Sequence, residues 1–224
     1  MFSVRYELVI FDCDGVLVDS ELLSCQCLAE MLSRHGVVTD REDAMRRFLG
    51  RSASAVADHF LATTGRPLPP SFADELQAAL TDVFRADLQV FPWVREFLAT
   101  YDGVYCLASS SHPERLAMTL SVTGLDRYFT GRAFTAAMVR HGKPAPDLFQ
   151  FAARKMSAKP KNILVIEDSV NGVLAGKAAG MTVWGFVGGS HHKDGAGAAR
   201  LTEAGADRIF HSFEELVPKT KGAR

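Results

Sequence analysis

The chain has 224 residues, 47% of them hydrophobic, with 25 basic and 26 acidic side chains and a formal net charge of −1. This is the composition of an ordinary globular protein, so disorder is excluded as a starting point, and near-neutrality removes the positive field that a nucleic-acid or anionic-lipid partner requires. The four cysteines, Cys13, Cys25, Cys27 and Cys106, lack paired CxxC spacing, and no apolar run approaches the ~20 residues of a membrane helix, so a reduced, cytoplasmic protein without membrane contact is expected.

Residues 7–11 form a short run of strand formers that stops at Asp12, Cys13, Asp14 and Gly15, as a buried parallel strand running into a loop does. The run is too short for a signal peptide and ends in acidic residues. Residues 19–88 then change character. Leu22, Cys25, Ala29 and Leu32 recur at helical spacing before Gly36, helical patterns continue through Phe84, and residues 65–70 read as a turn. No strand-like run interrupts this stretch, which predicts a helical bundle inserted after the first strand.

Beyond residue 92 the pattern alternates. Apolar runs at 104–108, 162–166 and 182–186 read as strands, and helical patterns over 113–122, 147–155 and 170–179 lie between them. A βαβα order predicts an α/β fold with a doubly wound parallel sheet, in which ligands bind beyond the carboxyl ends of the strands. The polar clusters fall at those ends: Asp12 with Asp14, Ser109 to Ser111, Glu167 to Ser169, and a glycine-rich loop after 186.

Asp12 and Asp14 at one strand end allow one carboxylate to attack while the other handles protons. An isolated Asp-x-Asp-Gly is equally an ordinary turn. Ser109, Lys143, Glu167 and Asp168 add a hydroxyl, a cation and further carboxylates at places predicted to converge, and closely spaced anions require a cation.

The segment 11–20, Ser109, the segment 142–147 and the segment 167–169 resemble the four motifs of the haloacid dehalogenase superfamily, near its β-phosphoglucomutase and phosphoglycolate phosphatase branch. The resemblance spans nearly the whole chain. It implies a Rossmann-like core of residues 1–18 and 89–224 and a C1-type helical cap of residues 19–88. The stretch between Ser111 and Lys143 is too short for the larger α/β cap of other branches.

By the same resemblance, the protein is a Mg²⁺-dependent phosphatase. Asp12 is the nucleophile that becomes an aspartyl-phosphate, and Asp14 protonates the leaving oxygen and then activates water. Ser109 and Lys143 hold the transferring phosphoryl group, a reaction driven by positioning and charge neutralisation. Asp12, the backbone carbonyl of Asp14, and Asp168 hold Mg²⁺, with Glu167 behind them; these are the hard oxygen ligands that ion prefers. The loop 48–52 resembles the cap segment that contacts substrate. Arg51 and Ser52 are therefore substrate-binding candidates, the Arg51 fork suiting a carboxylate or a second phosphate, and Ser111 and His112, which follow Ser109 toward the crevice, are two more. Asp19 and Ser20 resemble the segment leading into the cap, with a hinge or a helix-capping role.

Ser169 is positioned to cap the helix after Asp168. His191 and His192, adjacent and without further spaced ligands, are expected to be structural or solvent-exposed rather than a metal site. β-Phosphoglucomutases carry a histidine where this chain has Ser24, which favours hydrolysis of a small phosphorylated metabolite, a sugar phosphate or phosphorylated organic acid, over the alternative phosphomutase reaction. Dehalogenases of this type lack the second acid that Asp14 supplies. A phospho-receiver signalling domain has similar acids and a lysine but is far shorter and has no helical insertion. Without heptads or an obvious apolar patch, a monomer is expected.

Overall fold

The computed structural model describes residues 6–51, 53–193 and 195–217. Strand β1 (Leu8–Phe11) is apolar and buried at every position, as a strand covered on both faces must be. Alternation sends its side chains two ways. Leu8 and Ile10 enter a cluster with Leu148, Phe149 and Val173, while the Phe11 ring packs against Phe97, Tyr105 and Phe213. Removing a buried ring of this kind costs about 3–5 kcal/mol.

The chain then enters four helices, α1 (Glu21–Arg34), α2 (Arg41–Phe48), α3 (Ala53–Thr64) and α4 (Phe72–Asp87). They make up a compact unit, Asp19–Leu88. Its core gathers Cys25, Ala29 and Leu32 from one stripe of α1 with Phe48, Phe60 and Phe72. Asp40 starts α2 by accepting a hydrogen bond from the Asp43 amide at 2.7 Å, satisfying one of the orphan donors of the first turn.

The other unit takes residues 6–18 and the described chain from 89 onward. In order it adds α5 (Val94–Thr100), β2 (Tyr105–Ser109), α6 (Pro113–Thr123), α7 (Asp126–Phe129), β3 (Ala133–Thr135), α8 (Asp147–Lys155), β4 (Ile163–Glu167), α9 (Val170–Ala178), β5 (Thr182–Phe186), α10 (Gly197–Glu203) and β6 (Arg208–Phe210). Among the described residues these strands form one six-stranded sheet in the order β3-β2-β1-β4-β5-β6, with every neighbouring pair parallel. Phe11 stands opposite Leu107 on one side and Ile166 on the other. The chain moves outward from β1 to β3 and then crosses to β4 on the far side of β1. That reversal leaves a crevice at the carboxyl ends of β1 and β4.

The alternating runs predict this α/β sheet, and the structure differs in detail. Strands β2 and β4 extend one residue beyond their apolar runs, so Ser109 and Glu167 lie on strands and not in loops. The edge strands β3 and β6 have three residues each. Pairing on one side only, they need no long apolar run, so the hydrophobic pattern does not announce them. Among the described residues no helix is long and apolar enough to cross a membrane.

Candidate active site

Asp12 follows β1 directly, and its amide donates to the Ile166 carbonyl at 3.0 Å, so pairing with β4 continues up to the carboxylate. Lys143 reaches it from across the sheet. The Lys143 ammonium donates to Asp12 Oδ1 at 2.7 Å, to Glu167 Oε1 at 2.7 Å and to the Ala108 carbonyl at 3.0 Å. Three acceptors thus meet three hydrogens. The peptide bond from Lys143 to Pro144 is cis. Burial pulls the Lys143 pKa down, but the carboxylates of Asp12 and Glu167 outweigh it and hold it above the usual lysine range, so the side chain is a cation.

Glu167 is fully buried. Its Oε2 accepts from the amides of Asp168 and Ser169, each at 3.0 Å, and from Ser169 Oγ at 2.9 Å. Ser169 also caps α9, accepting from the Gly172 amide at 3.0 Å, as its position predicts. Gly172 lies hard against this cluster: a Cβ there would sit 1.8 Å from Glu167 Cδ. Gly172→Ala is expected to lower stability by about 1–3 kcal/mol through overpacking, and to lower activity by displacing Glu167 from Lys143. Urea denaturation and an activity assay check both.

At the end of β2, Ser109 is buried and its Oγ accepts from the Ser111 amide at 3.0 Å. Ser111 Oγ donates to Asp14 Oδ2 at 2.6 Å. Arg115, in the first turn of α6, donates to Asp14 Oδ1 at 3.3 Å. The intervening loop depends on Gly15, whose φ is +75° and whose hypothetical Cβ would lie 1.9 Å from Asp168 Oδ2. A left-handed turn that close to a carboxylate admits glycine alone.

Burial, only partly offset by Lys143, holds the Asp12 carboxyl well above the usual range, with Glu167 and Asp168 adding to the effect. Burial and Glu167 do the same to Asp168. Asp12, Glu167 and Asp168 each offer an oxygen, all within 4.8 Å of one another. Among the described residues, Lys143 pairs with Asp12 and Glu167, Arg115 with Asp14, and the His191 ring lies 3.0 Å from Asp168. Both Glu167 oxygens are engaged, whereas the raised pKa values of Asp12 and Asp168 mark carboxylates whose charge a cation between them would offset, and their hard oxygens fit a divalent ion.

Asp12, Asp14, Ser109, Ser111, Lys143, Glu167 and Asp168 therefore form one cluster. His112 does not join it: its side chain is exposed and pairs with Glu114. Arg51 is exposed in the helical unit. There it lines a shallow depression of about 330 Å³ with Arg46, Arg47, Phe48, Ala55 and His59. Ser52 lies outside the described residues. Ser20 precedes α1 without a side-chain cap bond. Arg115 was not among the sequence candidates, because an arginine in a helix carries no signal of which distant acid it meets.

The sequence profile of haloacid dehalogenase-like hydrolases matches residues 6–180. The chain is 28% identical to the 6-phosphogluconate phosphatase of Escherichia coli K12, over 84% of this chain and 86% of that one. It is 31% identical to a beta-phosphoglucomutase of Mycobacterium bovis, over 93% and 90%. The crystal structure of a hydrolase of the same family from Deinococcus radiodurans, solved with bound phosphate and sodium, matches with a TM-score of 0.75 and 33% identity, covering 96% of this chain and 94% of that one. Fold and sequence agree over most of the length, and the chain belongs to the haloacid dehalogenase-like hydrolases, a family of enzymes.

Proposed function

We propose that this hydrolase is a Mg²⁺-dependent phosphatase that cleaves a small phosphomonoester, a sugar phosphate or phosphorylated organic acid, through an aspartyl-phosphate on Asp12. The observation that supports it most is the bridge from Lys143 to Asp12 and Glu167 beside an Asp14 held by Ser111 and Arg115. A nucleophile, its counter-charge and a separate proton carrier stand together there.

In the first step an Asp12 oxygen attacks phosphorus. The Asp12–phosphorus bond forms as the ester P–O bond breaks, and Asp14 gives its proton to the leaving oxygen. In the second, Asp14 takes a proton from water, the water oxygen attacks phosphorus, and the bond to Asp12 breaks to release inorganic phosphate. The Ser111 hydroxyl can donate to the ionised Asp14 and accept from the protonated one, so this contact serves both steps. Ser109 and Lys143 donate to the non-bridging phosphoryl oxygens. Asp12, the Asp14 carbonyl and Asp168 would hold Mg²⁺, which when bound supplies positive charge against the phosphoryl oxygens. The helical unit would serve as the substrate-selecting cap, with Arg51 and Ser52 as candidates for a second anionic group.

Phosphate release from a panel of sugar phosphates, phosphorylated acids and nucleotides, with Mg²⁺ or EDTA, tests this reading. Release that needs Mg²⁺ is expected; a folded protein that releases phosphate from no compound overturns it. Likeness to a beta-phosphoglucomutase favours a second reading, phosphoryl transfer back to sugar. Ser24 weighs against it, because a hydroxyl, unlike imidazole, does not exchange protons readily near neutral pH. With β-glucose 1-phosphate and a bisphosphate primer, phosphate and no glucose 6-phosphate is the expected result, and glucose 6-phosphate would establish the mutase.

A further inference from the structure

Two histidines follow β5 in a loop that the chemistry above does not use. His191 and His192 lie in a short 3₁₀ turn, Ser190–His192, with ring centroids 3.9 Å apart. His191 is buried, and its Nε2 lies 3.0 Å from Asp168 Oδ2. An ionised carboxylate only accepts, so a hydrogen bond to it at this distance places the hydrogen on Nε2.

Bare backbone makes room for this contact. A Cβ on Gly15 would lie 1.9 Å from Asp168 Oδ2 and 3.1 Å from His191 Cε1, and one on Gly189 would lie 2.6 Å from the same Cε1. The loops after β1, β4 and β5 thus converge on one contact, between His191 and Asp168. Glu167 is fastened by its own loop and by Lys143. The Asp168 carboxylate, by contrast, meets the His191 ring at this 3.0 Å contact. Asp168, His191 and His192 also offer ligand atoms within 4.8 Å of one another, but an ion held between them through Nε2 would have to displace the bond to Asp168.

A carboxylate with one oxygen bonded cannot turn about its last torsion without losing that bond, and partners of this kind orient metal ligands. We infer that His191 is a positioning residue: its Nε2–H···Oδ2 bond sets the orientation of Asp168 for the cation, an inference that rests on Asp12 and Asp168 holding Mg²⁺.

Calorimetric titration with Mg²⁺ alone tests this in wild type, His191→Ala, His191→Gln and His192→Ala, each checked for folding by circular dichroism. His191→Ala should weaken Mg²⁺ binding by about 10–100-fold, with the KM for phosphorylated substrate at saturating Mg²⁺ unchanged. His191→Gln, which keeps an N–H donor, should recover part of the loss, and His192→Ala should bind as wild type. If His191→Ala does not fold, His191→Leu, which fills the slot without a donor, takes its place and should show the same loss. Wild-type affinity in the donor-less variant overturns the inference alone, as does equal weakening in His192→Ala. A wild type that binds no Mg²⁺ overturns the metal reading and this inference with it.

Discussion

Asp12→Asn should reduce phosphate release by at least about 10³-fold, since no other group takes over from a lost nucleophile, while leaving the metal-free fold as stable as wild type or more so. Burial, with Glu167 and Asp168 nearby, holds the Asp12 carboxyl well above its usual range despite Lys143. An acid whose pKa is raised on folding destabilises the native state wherever it is ionised. The asparagine removes that charge and still accepts from Lys143. The gain belongs to the pH range in which wild-type Asp12 is ionised and disappears toward acid, where the wild-type side chain is neutral in both states. Thermal melts in EDTA at neutral and acid pH, beside a phosphate-release assay, measure both effects. A variant that still turns over at a rate near wild type removes Asp12 from the nucleophile's role.

Lys143→Met should fail differently, losing activity and stability together. The Lys143 and Glu167 side chains are 3% and 0% exposed, and removing the cation leaves Asp12 and Glu167 buried without their counter-charge. Breaking one side of a buried pair costs about 3–5 kcal/mol. The double variant Lys143→Met with Glu167→Gln should recover part of that loss without recovering activity, because neutralising Glu167 relieves the repulsion but restores no donor for the phosphoryl group. Urea midpoints of the three proteins decide the matter. A single variant as stable as wild type would mean that the bridge contributes nothing to the fold.

Much of the core was legible as local pattern. The runs ending at Phe11, Ala108 and Ile166 predicted parallel strands with polar carboxyl ends, and the structure places Asp12, Ser109, Glu167 and Asp168 at those ends. Ser169 read as a helix cap is a helix cap. His112 had the same sequence standing as Ser111. Both follow β2, yet Ser111 turns to Asp14 and His112 turns to Glu114, a choice made by the start of α6 and invisible in spacing.

Periodicity and motif spacing are properties of neighbours in the chain, so the amino-acid order alone was enough for the strand-and-helix alternation, the inserted helices and the acidic strand ends. Which groups meet is decided by separations that no local pattern records. Lys143 bonds Asp12 across 131 positions and Arg115 bonds Asp14 across 101. Saturation of Glu167, the slot between Gly15 and Gly189 and the reach of His191 to Asp168 follow from the order in which the strands pack. Close packing brings these loops within a hydrogen bond of one another, and only there do burial and charge give each side chain its task.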